Sequence, residues 1–223
     1  MEKDWLVADD LLSKINITSN PQNKPVTIHG DSKDLRCIGI GTDAAVFQYI
    51  HNKNYAFKLY ADDKKDKIQL EADVYKRLKG SPYFSTCYAA YERYLVLSFE
   101  PGITLYDCLL QGIHIPHQVI LDVEEARKYA MKCNLNPRDI HLKNILLQDG
   151  RAKVIDVSEY CLEGNDHRWE HLKKAYDMYY DLIDGKAIPH WLMESVQRWY
   201  NQKNFKTIEE FMKDILKLKF FWK

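Results

Sequence analysis

Apolar and polar positions along this chain follow two periods, and each change of period marks an element. Residues 35–60, L-R-C-I-G-I-G-T-D-A-A-V-F-Q-Y-I-H-N-K-N-Y-A-F-K-L-Y, form short runs rich in Ile, Val, Phe and Tyr, broken by a glycine turn and an Asn/Lys turn. They read as three strands. Lys58 lies inside the third, and strand period sends its ammonium to the face opposite Phe57 and Leu59. The period then lengthens: Ile68, Glu71, Val74, Tyr75 and Leu78 fall at i, i+3, i+6, i+7 and i+10, one helical stripe, with Gly80 as its stop. Residues 94–99, Y-L-V-L-S-F, make a buried strand that Glu100-Pro101-Gly102 breaks, and residues 104–110 resume with helical character. Residues 116–133 predict a helix with Pro116 in its first turn and Val119, Val123, Ala126 and Ala130 on one face. Ile145-Leu146-Leu147 and residues 152–155 are two short strands, with Asp149-Gly150 as the hairpin signal. Residues 8–15 predict a short helix, 26–28 the start of a β-rich region, and 188–200 and 207–218 two closing helices.

Composition narrows the class. Of 223 residues, 46% are hydrophobic and 29% charged, a balance that excludes overall disorder. Lys plus Arg equals Asp plus Glu at 32 each, so no global field recruits nucleic acid or membrane. The five cysteines are odd in number, well separated and free of C-x-x-C, which indicates neither a zinc site nor a redox motif. The N-terminus, M-E-K-D-W-L-V-A-D-D, carries no signal-peptide apolar run, and no stretch reaches the roughly 18 apolar residues of a membrane span. A cytoplasmic protein with reduced thiols is the expectation.

Candidate chemistry centres on residues 137–156, P-R-D-I-H-L-K-N-I-L-L-Q-D-G-R-A-K-V-I-D. Asp139 and Asn144 stand on the loop entering the hairpin and Asp156 on the loop leaving it. Three oxygen-bearing side chains at one mouth suit Mg²⁺ and a hydroxyl nucleophile; a surface hairpin with ordinary turn residues is the alternative. Upstream, Gly39 and Gly41 would let backbone N–H groups approach phosphate oxygens, though a glycine-softened hairpin gives the same letters. Lys58 needs an anionic partner inside an apolar strand. Glu71, on the inward stripe of the next helix, is the candidate. His114 and His117 have H-x-x-H spacing but bracket a helix start, a poor metal pair.

The order of glycine turn, strand Lys, helix Glu, apolar strand ending near P-G, D-x-x-x-x-N, hairpin and Asp resembles the protein-kinase superfamily. The likeness covers residues 35–156 and is nearest to small bacterial serine/threonine kinase-like proteins, more distantly to compact atypical kinases of the RIO type. It implies an α+β, two-lobed kinase-like fold with a short activation segment. An antiparallel β-sheet N-lobe would span residues 1–98 and a mainly helical C-lobe 99–223. It further implies that Ile38, Gly39, Ile40, Gly41, Thr42, Ala44 and Val46 cover the phosphates of ATP, with Val46 and Ala56 flanking the adenine. Lys58, held by Glu71, would contact the α- and β-phosphates. Leu97 would be the gatekeeper, and Ser98, Phe99 and Glu100 would offer backbone groups to adenine. Asp139 would orient the acceptor hydroxyl, and Asn144 and Asp156 would hold Mg²⁺.

Several positions depart from that pattern. Ala44 replaces the third glycine, Pro137 the His before R-D, and Ser158 the glycine of D-F-G. His141 stands where a basic residue is expected. Lys143, four residues after Asp139, either contacts the γ-phosphate or is a solvated loop charge. Asp166 and Trp169 resemble a D-x-W helix start with one extra residue between them. Asp166 comes ten residues after Asp156, with no A-P-E and no long activation segment. The expectation is therefore an ATP- and Mg²⁺-dependent phosphotransferase, with a protein Ser/Thr acceptor preferred over a metabolite. A small-molecule kinase of aminoglycoside or choline type, and a nucleotide-binding pseudokinase acting as an interaction module, are the alternatives.

Overall fold

The structure, a computed structural model, describes residues 4–22 and 24–202. A 3₁₀ turn, Asp4–Ala8, leads into α1 (Asp9–Leu12), β1 (Asn16–Thr18), β2 (Thr27–His29), β3 (Leu35–Ile40), β4 (Ala44–Tyr49) and β5 (Asn52–Tyr60). There follow α2 (Asp66–Arg77), β6 (Cys87–Ala90), β7 (Tyr94–Ser98), β8 (Ile103–Thr104), α3 (Leu105–Gln111) and α4 (His117–Lys132). The hairpin β9 (Ile145–Gln148) and β10 (Arg151–Val154), then α5 (Arg168–Tyr179) and α6 (His190–Gln202), complete the described chain. It is a mixed α/β protein whose strand pairings are antiparallel. Among the described residues no helix is long and apolar enough to cross a membrane. The helix expected at 207–218 lies outside them.

The chain divides into two compact units. The first gathers residues up to Pro101 with Ala126–Pro137 and Ile155–Glu163. The second gathers Gly102–Glu125, Arg138–Val154 and the residues from Gly164 on.

The first unit is built on a five-stranded sheet of order β3-β4-β5-β7-β6. Its register sorts side chains onto two faces, because directly opposed residues point the same way. On one face Phe47 opposes Phe57 and Phe57 opposes Val96, while Ala45 opposes Leu59 and Leu59 opposes Tyr94. Ala8, Leu12, Ile15 and Ile17, from the segment before the sheet, pack into the same buried cluster. Trp5 stacks on Tyr88 with centroids 5.8 Å apart, and its indole N–H donates to the Tyr91 hydroxyl at 3.2 Å. Each fully buried Leu or Ile here contributes roughly 1.5–3 kcal/mol. The opposite face carries the candidate chemistry.

Sequence patterning left β1 and β6 unassigned. Each offers little apolar signal: β1 buries only Ile17, and β6 alternates half-buried and exposed residues around two alanines. The helix expected over residues 8–15 is held to Asp9–Leu12, where the Ser13 hydroxyl donates to the Asp10 carbonyl at 2.7 Å and the chain turns toward β1. Between β5 and α2 the chain is extended at Ala61, whose N–H donates to the Asp43 carbonyl at 2.9 Å.

In the second unit β8 joins β9 and β10 in the order β10-β9-β8. Asp149 and Gly150 adopt φ of 50° and 76°, the left-handed pair that a two-residue hairpin turn of this hand requires. Asp122, 1% exposed, anchors the hairpin: its carboxylate accepts from Arg151 Nε at 2.7 Å, Arg151 Nη2 at 2.8 Å and the Ala152 N–H at 3.0 Å. Burial would raise the Asp122 carboxyl pKa, but these donors and Gln118 hold it below the usual carboxylate range. Trp169, at the start of α5, is buried and donates its indole N–H to Glu124.

Candidate active site

In the first unit the register gathers the expected nucleotide-facing residues on one side of the sheet. Gly39 opposes Val46 and Val46 opposes Lys58, while Ala56 opposes Leu97. Lys58 and Ala56, two apart on β5, share that face, so Val46, Ala56, Lys58 and Leu97 line it together. Strand period alone put Lys58 opposite Phe57 and Leu59, and the register agrees.

Lys58 is 8% exposed and Glu71 1%. The ammonium donates to both Glu71 oxygens, at 2.9 and 2.8 Å, and to Asp156 Oδ1 at 3.1 Å. Burial alone would push the ammonium toward its neutral form, but the Asp156 and Glu71 carboxylates outweigh it and hold Lys58 charged, well above the usual lysine range. Burial pushes the Glu71 carboxyl up, against the pull of Lys58. Asp156 goes the other way: burial opposes its ionisation, yet Lys58 and the Ser158 N–H, 3.2 Å from Oδ1, bring it down to about 2. A second donor on Glu71 escaped the sequence reading. The Tyr60 hydroxyl donates to Glu71 Oε2 from a side chain 1% exposed. The signal was available, since Tyr60 follows Lys58 by two and so shares its face.

The glycine turn is closed on itself. The Gly41 N–H donates to the Ala44 carbonyl at 2.8 Å, and Val26 N–H donates to the Gly41 carbonyl at 2.9 Å. Thr42 and Asp43 form the tip, with Asp43 paired to Lys67 of α2 at 2.6 Å. Ile38 and Ile40 are exposed, and Ala44 is buried. After β7, the Ser98 N–H donates to the Thr86 carbonyl at 2.8 Å and the Phe99 N–H to the Asn54 carbonyl at 2.9 Å. The Ser98 hydroxyl donates to Glu100 at 2.6 Å. The N–H groups of Ser98 and Phe99 are thus engaged within this unit.

In the second unit the loop before β9 is tightly wired. Asp139 sits at φ 56°, a left-handed conformation that Asp tolerates better than most residues. Its N–H donates to Asp166 Oδ2 at 2.9 Å, and Arg168 Nη1 pairs with its Oδ1. The Asn144 N–H donates to the His141 carbonyl at 2.8 Å and its Nδ2 to the Asp139 carbonyl at 3.1 Å, which leaves Oδ1 as the atom Asn144 can offer a cation. His141 Nε2 is 3.8 Å from Asp139 Oδ1, beyond hydrogen-bond range. The Lys143 ammonium lies over the Tyr106 ring, 4.5 Å from its centroid. Arg168 was invisible to the sequence reading, which noted only the extra residue between Asp166 and Trp169.

His114 pairs with Asp184 at 2.8 Å. Among the described residues, no group of three or more His, Cys, Asp or Glu is arranged to hold a metal.

No known family profile matches the chain. A Bacillus subtilis (strain 168) protein named "Putative serine/threonine-protein kinase YrzF" is 33% identical over 177 residues, which cover 78% of this chain and 82% of that protein.

Proposed function

The chain belongs to the serine/threonine-protein kinase family, and we propose that it is an ATP- and Mg²⁺-dependent kinase of minimal bacterial type. The γ-phosphoryl group would pass to a protein Ser or Thr hydroxyl. One observation carries this reading: an ammonium, Lys58, kept charged in a buried setting by Glu71 and Asp156. A buried ion pair adds little to stability even when well made, and phosphoryl transfer gives the charge a use.

The donor set fits the absent groups. Lys58, oriented by Glu71, would meet the α- and β-phosphates, and Val46, Ala56 and Leu97 give adenine an apolar face. Residues 38–44 would cover the phosphates through the backbone of the turn tip, since the Gly41 N–H is already engaged. Ser98, Phe99 and Glu100 would offer adenine backbone groups other than the Ser98 and Phe99 N–H, which are engaged. Asn144 and Asp156 would hold Mg²⁺, which when bound neutralises phosphate charge. Asp139 would orient the acceptor hydroxyl and receive its proton as its oxygen bonds to the γ-phosphorus and the bond from that phosphorus to the bridging oxygen breaks, releasing ADP. Catalysis of this kind rests on positioning and fixed charge. The chain would divide into lobes near residue 98, in the manner of compact RIO-type kinases.

The short connection between Asp156 and α5 favours a second reading, a small-molecule kinase, because little chain remains to dock a peptide. Transfer of labelled γ-phosphate to a protein mixture and to a metabolite panel separates the two. In either case Asp139→Ala abolishes transfer with nucleotide affinity within about threefold of the parent, and Lys58→Ala weakens both. Wild-type turnover by Asp139→Ala would refute the catalytic assignment.

A further inference from the structure

Asp139, Asp166 and Arg168 form a closed circuit in the second unit. The Asp139 N–H donates to Asp166 Oδ2 at 2.9 Å, the Arg168 N–H donates to Asp166 Oδ1 at 3.2 Å, and the Arg168 guanidinium returns to Asp139 Oδ1. Its Nε also lies 3.7 Å from Asp166 Oδ2. Asp166 thereby holds the backbone of Asp139, and Arg168 its carboxylate.

The local chain explains why these two residues can do so. His167 adopts φ 55°, and its N–H donates to Asn165 Oδ1 at 2.8 Å, which turns the chain sharply before α5. Trp169, 3% exposed and tied to Glu124, fixes the next residue. Arg168 is therefore pinned at its own N–H on one side and by a buried indole on the other. On the other side of Asp139, Pro137 stands two residues before it and has neither a side-chain donor nor a backbone N–H to lend.

We propose that Arg168 is a positioning residue for Asp139, setting the orientation of its carboxylate toward the acceptor hydroxyl. The proposal rests on the kinase reading above, in which Asp139 faces the acceptor. Arg168 itself transfers no proton. A hydroxyl that hydrogen-bonds the same carboxylate meets an oxygen pair already turned by the guanidinium, so less orientational freedom is lost on the way to the transition state. Arginine suits the task because its planar fork fixes direction as well as charge.

The test is steady-state γ-phosphate transfer by the full chain with Arg168→Ala and Arg168→Lys, alongside Asp139→Ala, with ATP affinity and thermal melting measured on each. Arg168→Ala lowers kcat about 10- to 100-fold, the scale of a misoriented catalytic group. KM for ATP stays within about twofold, because the nucleotide contacts are elsewhere. Arg168→Lys keeps the charge and recovers part of the loss, which a merely structural role would not predict at unchanged melting temperature. Unchanged kcat in Arg168→Ala overturns the proposal. So does a raised kcat, which would make the contact a latch that has to open. A parallel fall in ATP affinity and melting temperature would reduce Arg168 to fold support and overturn it too. If Arg168→Ala does not fold, Arg168→Lys and Arg168→Gln carry the comparison, and equal rates in those two overturn the proposal. Wild-type transfer by Asp139→Ala would instead strike the kinase assignment of Asp139 itself.

Discussion

Removing the Tyr60 hydroxyl tests how the buried Lys58–Glu71 pair is held. Tyr60→Phe keeps the ring in its pocket, 1% exposed, and deletes one of the donors on Glu71. A hydrogen bond to a charged group contributes about 1.5–3 kcal/mol. Glu71 Oε2 keeps Lys58 Nζ at 2.8 Å, so the carboxylate is not orphaned and the lower end, about 1.5 kcal/mol, applies. Glu71→Gln removes the charge and leaves Lys58 with Asp156 at 3.1 Å. Breaking a fully buried pair costs about 3–5 kcal/mol. The surviving partner and the penalty that burial already places on ionised Glu71 reduce this to about 2–3 kcal/mol. The two changes touch one carboxylate and must therefore couple. In the Glu71→Gln background Tyr60→Phe removes only a neutral hydrogen bond and costs about 0.5 kcal/mol, a coupling of about 1 kcal/mol. Urea unfolding of the four proteins at neutral pH, with unchanged m-values, measures it. A full additive loss in the double variant, or no loss from Tyr60→Phe in either background, would refute the anchoring role.

Asp122→Ala strands the Ala152 N–H and releases Arg151 to solvent, so stability falls by about 2–3 kcal/mol in urea melts, mostly from the orphaned buried donor. Arg151→Ala costs about 1–3 kcal/mol, because its own side chain is 60% exposed but the buried Asp122 carboxylate loses two of its donors. Asp156 is depressed from 3.8 to about 2, so its contribution is present above pH 4 and is lost as pH falls through that interval. Wild type and Asp156→Asn therefore differ modestly at neutral pH and converge near pH 2 in thermal melts, the side chain being 40% exposed. A gap that widens on acidification would contradict that sign. Leu12→Ala, which opens the cluster beneath the sheet at a side chain 1% exposed, costs about 2–4 kcal/mol by the same melts.

What the sequence made legible was periodic. The inward stripe of Ile68, Glu71, Val74 and Tyr75 is buried as its spacing requires, and the Asp149-Gly150 turn forms the expected hairpin. What stayed hidden had either too little apolar mass or too much sequence distance. Residues 87–90 read C-Y-A-A, small and ambiguous, and become a strand only because β7 supplies the ladder. Asp122 lay on the α4 stripe, three after Val119, yet a buried acid is recognisable only once Arg151, 29 residues on, is seen beside it. Arg168 meets Asp139 across the same separation of 29 residues, and nothing in its neighbours marks it.

The two faces of the five-stranded sheet tie the candidate site to the opening residues of the chain. Phe57 and Leu59 point into the cluster with Leu12, Ile15 and Ile17, while Lys58 between them points to Glu71. A one-residue slip of β5 would exchange those faces, placing the ammonium among Phe47, Val96 and Ile17 and two apolar side chains against Glu71. Both outcomes are costly, one by burying an unpaired charge and the other by stranding a carboxylate. The apolar cluster thus fixes the register, and the register fixes the pair. A segment with no chemistry of its own, residues 8–17, is in this way part of what aims Lys58.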